Sequence, residues 1–357
     1  MRRWVLRSVA VAIGLVVAAV AFVLATGTRQ GALPETAPGY HVMRIEATHR
    51  PGGLDLHLWY PASNDAPVML IGQNALFYGF HARRDAMADG AMLPVVVLSH
   101  GSGGNAEQMG WLATDLAARG FIVAAVNHPG TTSRDSLPAR TVMPWERTAD
   151  VTAALDRLAG EPLLGLRPDM SRVGVIGFSL GGATALLVAG ARLSKADFIT
   201  YCTDVTGKAD CEWLSQGGVD FNGIDAARYE ADLRDPRVKA AVAVDPALSH
   251  AMTPDSLGKV AVPVRIVNLG SPGAVPAAME ADVAAAQIPG ASYRTVEGAA
   301  HFSFLPRCSW FGVFVIGLAG DDNICSDWSL RDRDVIHAEL AEDISRYLQG
   351  ALLPMVD

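Results

Sequence analysis

Residues Arg172 to Ala183 (Arg-Val-Gly-Val-Ile-Gly-Phe-Ser-Leu-Gly-Gly-Ala) constrain this chain more than any other segment. A β-branched apolar run breaks into G-x-S-x-G and passes at once into an Ala-rich helical stretch. A strand that turns into a helix within two residues forces strained backbone at the central Ser179. It also brings the flanking turns so close that only glycine fits at Gly177 and Gly181. Ser179 is thereby placed at the carboxyl end of a strand and the N-terminus of a helix, beside backbone N–H donors.

Around this turn, apolar runs alternate with helical patterns. Leu93 to Leu98 is continuous and apolar, the mark of a strand buried on both faces of a parallel sheet. Similar runs follow at Phe121 to Val126, Val238 to Val244, Val262 to Val267 and Tyr293 to Val296. Helices are expected from about Ala106 to Ala118, Trp145 to Leu158 and Arg333 to Leu348. Period-two alternation over 41–60, interrupted by Pro51-Gly52-Gly53, predicts an antiparallel hairpin turning at those residues and forming the sheet edge. The fold class is therefore α/β: a mostly parallel central sheet, helices on both faces and an antiparallel N-terminal edge.

The chain has 357 residues, 50% of them hydrophobic, and a net charge of −8. With no basic cluster beyond the first residues, nucleic acid is not expected as a partner. Arg2, Arg3 and Arg7 precede an uncharged apolar run from Ser8 to Ala25, which reads as an export signal or an N-terminal membrane anchor. Both place the body outside the cytoplasm, periplasmic or secreted, or held to the inner membrane by residues 8–25. The expected organisation is a leader over 1–30, a linker over 31–40 and one catalytic domain over 41–357. An insertion at about 194–236 is either a lid or decoration. Four cysteines suit an oxidising compartment, and their spacing favours two local disulfides, Cys202–Cys211 and Cys308–Cys325.

A serine hydroxyl needs a base, and the base needs an orienting acid. His301, in Glu297 to Phe302 after a strand-like run, is the expected base; His337 on the final helix is expected to pack or face solvent. Asp245 ends the apolar run 238–244, where Pro246 stops the strand, and is the expected acid. Glu280 and Asp282 are the weaker alternatives. The oxyanion of acyl transfer needs two N–H donors, assigned to Leu180 and to Ser102 within His100-Gly101-Ser102-Gly103-Gly104. His100 and His128 are expected to be structural or to line the pocket, and Phe178 and Phe302 are further lining candidates. No Cys/His spacing reads as a metal site and no dinucleotide fingerprint is present, so neither metal nor cofactor is expected.

With Leu58-Trp59-Tyr60-Pro61-Ala62, His100 to Gly104, Gly120 to Pro129, Gly177 to Gly182, Ala243 to Pro246 and Ala300-His301-Phe302 in hand, the chain after residue 41 resembles the α/β-hydrolase superfamily. Within it the chain is similar to the bacterial predicted dienelactone hydrolases and the platelet-activating-factor acetylhydrolases. That resemblance implies the α/β-hydrolase fold, Asp245 as the acid and an oxyanion hole from Ser102 and Leu180. It also implies a short-acyl ester substrate. Serine stands where true dienelactone hydrolases carry cysteine, which favours ordinary carboxylic esters over lactones. Two alternatives stay open: a lipase, phospholipase or polyester hydrolase working at a surface, and a non-catalytic interaction module that keeps the fold.

Overall fold

The computed structural model describes residues 36–353 apart from 64, 272, 320–323 and 326–330, together with residues 14, 17 and 18. Apart from residues 14, 17 and 18, the expected leader lies outside the described residues, as does the first half of its linker, 31–35. Among the described residues no helix is long and apolar enough to cross a membrane.

The strands are β1 (Gly39–Ala47), β2 (Arg50–Tyr60), β3 (Val68–Ile71), β4 (Phe80–Arg84), β5 (Met92–Ser99), β6 (Ile122–Val126), β7 (Arg167–Phe178), β8 (Val238–Val244), β9 (Val264–Leu269) and β10 (Ser292–Val296). They form one sheet in the order β10-β9-β8-β7-β5-β6-β2-β1-β4-β3. From β10 to β6 every pairing is parallel, and β2 is antiparallel to both β6 and β1. The longer helices are α1 (Gly110–Ala118), α2 (Pro144–Ala159), α3 (Leu180–Ala189), α4 (Lys195–Tyr201), α5 (Ala209–Gln216), α6 (Asp282–Gln287), α7 (Trp310–Ala319) and α8 (Arg333–Leu352).

Alternation along each parallel strand feeds cores on both faces of the sheet. On β5, Val96 and Leu98 join the residues beneath α1 and α8, while Val95 and Val97 pack with Val151, Ala154 and Leu155 of α2. On β8, Ala240, Val242 and Val244 face α8, and Ala241 and Ala243 face a third cluster built from α3, α6 and the 194–236 segment. A strand covered on both sides has no polar face to show, which is why these runs read as uninterrupted apolar sequence.

Two details differ from the sequence expectation. The hairpin turns at Thr48-His49, because Ala47 pairs with Arg50, and Pro51 to Gly53 lie within β2. The hairpin is not the sheet edge either, since β1 pairs in parallel with β4 and the edge is β3. β3 and β4 were hidden by their shortness and by a Gly- and Asn-containing connection without clean alternation.

Candidate active site

Parallel strands all deliver their connections at one end, so the loops after β5, β7, β8 and β10 converge at the carboxyl edge of the sheet. Ser179 follows β7 with φ 56° and ψ −120°, a region that non-glycine residues rarely occupy. The turn is held by its neighbours: the Ser179 N–H donates to the Val244 carbonyl at 2.9 Å, and its own carbonyl accepts from Ala247 N–H at 3.0 Å. A Cβ on Gly181 would sit 1.8 Å from the Ser99 carbonyl oxygen, and one on Gly177 would sit 1.8 Å from the Gly181 carbonyl oxygen. Those two contacts show why the motif carries glycine at both ends.

Asp245 directly follows β8 and is fully buried, at 0% exposure. Its Oδ2 accepts from His301 Nδ1–H at 2.9 Å. Its Oδ1 accepts from the Leu269 N–H and from Asn268 Nδ2–H, each at 2.8 Å. Three donors answer the cost of burying a carboxylate. With Nδ1 committed to Asp245, the lone pair of a neutral His301 lies on Nε2.

His301 opens a short 3₁₀ turn, His301–Phe304. Its ring stacks on Phe178 with centroids 4.7 Å apart, and Phe178 stacks in turn on Phe304 at 4.5 Å. Trp111 of α1 donates its indole N–H to the Phe304 carbonyl at 3.0 Å. His337 of α8 is buried, stacks on Trp111 and bonds the Ser303 carbonyl through Nε2 at 2.9 Å. His337 therefore packs, and it braces the loop that carries His301.

Ser179 and His301 line one cavity of about 200 Å³ with Phe77, His100 to Asn105, Gln108, Met109, Phe178, Phe302, Phe304, Leu305 and Ile324. Leu180 donates the first N–H of α3, which has no intrahelical acceptor. In the facing loop, Gly103 N–H is taken by the Thr131 carbonyl and Gly104 N–H by the Gly101 carbonyl. Among the described residues the Ser102 N–H has no acceptor, which leaves it available to a ligand.

Of the expected lining residues, His100, Phe178 and Phe302 reach this cavity. His128 does not: it is fully buried, with Nδ1 against Asp150 at 2.9 Å and Nε2 against Ser99 at 2.9 Å. No residue of 194–236 lines the cavity; that segment contributes to the apolar cluster that also includes residues of α3 and α6, and its Cys202 and Cys211 are bonded to each other. Cys308 and Cys325 are also bonded, and this second staple brings Ile324 into the cavity wall. Among the described residues no group of three or more His, Cys, Asp or Glu side chains could hold a metal ion.

Sequence reading missed Asn268, which supports Asp245, and Arg147 and Asp150 on α2, both buried. The signal for the last two was present, since Arg147 and Asp150 interrupt the otherwise apolar face of Trp145 to Leu158.

A family model described as the alpha/beta hydrolase family matches residues 96–311, and this chain belongs to that family. A bis(hydroxyethyl) terephthalate hydrolase from Streptomyces coelicolor is 29% identical over 199 residues, covering 54% of this chain and 58% of that protein. The match thus spans little more than half of that relative. Among solved structures, a ferulic acid esterase from Streptomyces cinnamoneus shares the fold with a TM-score of 0.60 at 21% identity, over 90% of this chain and 92% of that one. A dienelactone hydrolase from Anabaena variabilis aligns over 88% of this chain and 99% of its own at a TM-score of 0.49 and 15% identity.

Proposed function

We propose that this protein is an exported serine carboxylic-ester hydrolase acting on short-acyl esters. The observation that carries the reading is that His301, which lines the same cavity as Ser179, is bonded through Nδ1 to the buried Asp245 carboxylate. Ser179 Oγ attacks the ester carbonyl while His301 Nε2 takes its proton. Asp245 keeps His301 in the required tautomer and stabilises the imidazolium. The tetrahedral oxyanion is received by the N–H groups of Ser102 and Leu180. His301 then protonates the leaving alkoxide, and a water activated by the same histidine releases the acid from the acyl-enzyme.

A cavity of about 200 Å³ is small beside the ~300–1,000 Å³ of pockets that enclose drug-sized ligands, which supports a short acyl group. The similarity to a terephthalate-ester hydrolase and the fold shared with a ferulic acid esterase fit an ester substrate. The two disulfides fit an exported body.

Hydrolysis of p-nitrophenyl esters from acetate to palmitate, by the protein and by Ser179→Ala, tests the reading. Turnover highest at acetate or butyrate and lost in the variant is the expected result. Equal turnover in both proteins would refute it.

One observation favours a second reading, that the ester is presented at a surface. α7 carries no charged residue and exposes Trp310, Val313, Phe314 and Leu318 within the stapled loop that supplies Ile324. On that reading Trp310→Ser with Phe314→Ser would weaken hydrolysis of emulsified tributyrin and leave that of soluble p-nitrophenyl acetate unchanged.

A further inference from the structure

We infer that Arg147 is a positioning residue that sets the spacing between the two oxyanion donors, by tying the loop that carries Ser102 to the helix that carries Leu180. This rests on the serine-hydrolase reading above. Arg147 projects from α2 and is 1% exposed, and its guanidinium makes four hydrogen bonds to protein. Nε donates to Thr184 Oγ1 at 3.2 Å, and that hydroxyl donates to the Leu180 carbonyl at 3.0 Å. Nη2 donates to the His100 carbonyl and, at 3.3 Å, to Ser99 Oγ. Nη1 donates to Thr131 Oγ1 at 2.5 Å, and the Thr131 carbonyl holds Gly103 N–H at 2.9 Å.

Ser102 is therefore bracketed, with His100 on one side bonded to Arg147 and Gly103 on the other reached through Thr131. Leu180 is reached through Thr184. One rigid planar group joins the pieces of backbone that must present two N–H vectors to a single oxygen. An ammonium, with three donors at one point, cannot span these acceptors.

The guanidinium is itself braced. His128 is buried against it, and burial followed by the Arg147 charge pushes its pKa down to about 4. It is neutral, so Nδ1–H donates to Asp150 and Nε2 accepts the Ser99 hydroxyl proton. Ser99 Oγ is then free to accept from Arg147. Asp150 also takes Arg50 Nε–H at 2.9 Å and Nη2–H at 2.8 Å, and His49 at 2.7 Å. Ser99, His128 and Asp150 repeat the donor order of a catalytic triad, but each is 0% exposed. No ester reaches that serine, and its role is to hold the arginine.

Misplacing a preorganised donor by about 1 Å can cost about 10²-fold in rate, and the loss falls on transition-state binding. The test uses Arg147→Lys, Thr184→Val and Thr131→Val, the last two each removing one strut while keeping side-chain volume. Steady-state hydrolysis of p-nitrophenyl acetate is paired with inhibition by a phenylboronic acid, which mimics the tetrahedral oxyanion. The expected result is kcat lower by 10- to 100-fold in Arg147→Lys, KM changed less than threefold, and the boronate inhibition constant raised in step with the loss of kcat/KM across the three variants. A merely structural role would lower the active fraction and leave the boronate constant where it was, and that outcome overturns the proposal. If Arg147→Lys does not fold, the two threonine variants decide it by the same criterion. Ser179→Ala as active as the parent protein would instead remove the serine-hydrolase reading on which the proposal rests.

Discussion

Ser179 occupies φ 56° and Asp245 φ 44°, two strained non-glycine residues on neighbouring strand ends. Such conformations cost about 1–3 kcal/mol each and persist only where surrounding bonds over-determine them. Here the Ser179 N–H, Ser179 carbonyl and Asp245 N–H are all engaged by β8, its following loop or β9. Closeness matters as much as strain. Gly181→Ala would drive a methyl group to 1.8 Å from the Ser99 backbone oxygen, which no side-chain rotation relieves. We expect that variant to give no soluble, active protein, and recovery of a folded enzyme by circular dichroism would contradict the packing described. Asn268→Ala removes one of the donors to the buried Asp245 carboxylate. A loss of about 1–3 kcal/mol in unfolding free energy by urea titration is expected, because a buried charge is left short of a partner.

At the scale of elements, the stapled loops have separate duties. Cys202–Cys211 closes a short loop between α4 and α5, away from the cavity, whereas Cys308–Cys325 spans α7 and presents Ile324 to it. Each crosslink restricts the unfolded chain, so replacing either pair with serine should cost about 3 kcal/mol of stability. The two replacements should differ in kinetics. Loss of the 308–325 pair is expected to raise KM for short p-nitrophenyl esters severalfold, and loss of the 202–211 pair to leave kcat and KM within twofold. A KM change confined to the 202–211 variant would reverse this assignment. α2 has two tasks as well: Val151, Ala154 and Leu155 pack on the sheet, while Arg147 and Asp150 on the same helix carry the buried polar brace.

Over the whole molecule, buried neutral histidines make stability depend on pH. Burial lowers His128 and His57 from the ordinary 6.5 to about 4. Between pH 6.5 and 4 the unfolded chain binds a proton at each position and the folded chain does not. Stability therefore rises with pH across that window and is lost on acidification. Asp150 acts in the same direction but at lower pH, its contribution being lost only as pH falls below the ordinary carboxylate value of 3.8. Burial alone would raise it, but hydrogen bonds from His128, His49 and Arg50 hold it well below the usual carboxylate range. From pH 7.5 to 5, each histidine should remove about 2 kcal/mol. Urea midpoints measured at pH 7.5, 6 and 5 check this, and a flat profile would mean that these imidazoles gain a proton without unfolding.

The division between sequence and tertiary structure follows from the range of the interactions. G-x-S-x-G, the loop His100 to Gly104 and the apolar runs are local patterns whose physics acts within a few residues. The α/β class, the turn at Ser179, the strand end that carries Asp245 and the loop after β10 that carries His301 were accordingly legible in the chain alone. The placement of β3 and β4 as the sheet edge was not, since their pairing depends on β1, far away in sequence. The same holds for Asn268 beneath Asp245, for Ile324 in the cavity wall, and for the path of the 194–236 segment away from the cavity. It holds most of all for Arg147, whose partners lie on β5, α3 and the loop after β6. A side chain's local sequence can show that it interrupts an apolar face, but only the folded chain decides which distant carbonyls and hydroxyls receive its protons, because burial leaves it no water to bond instead.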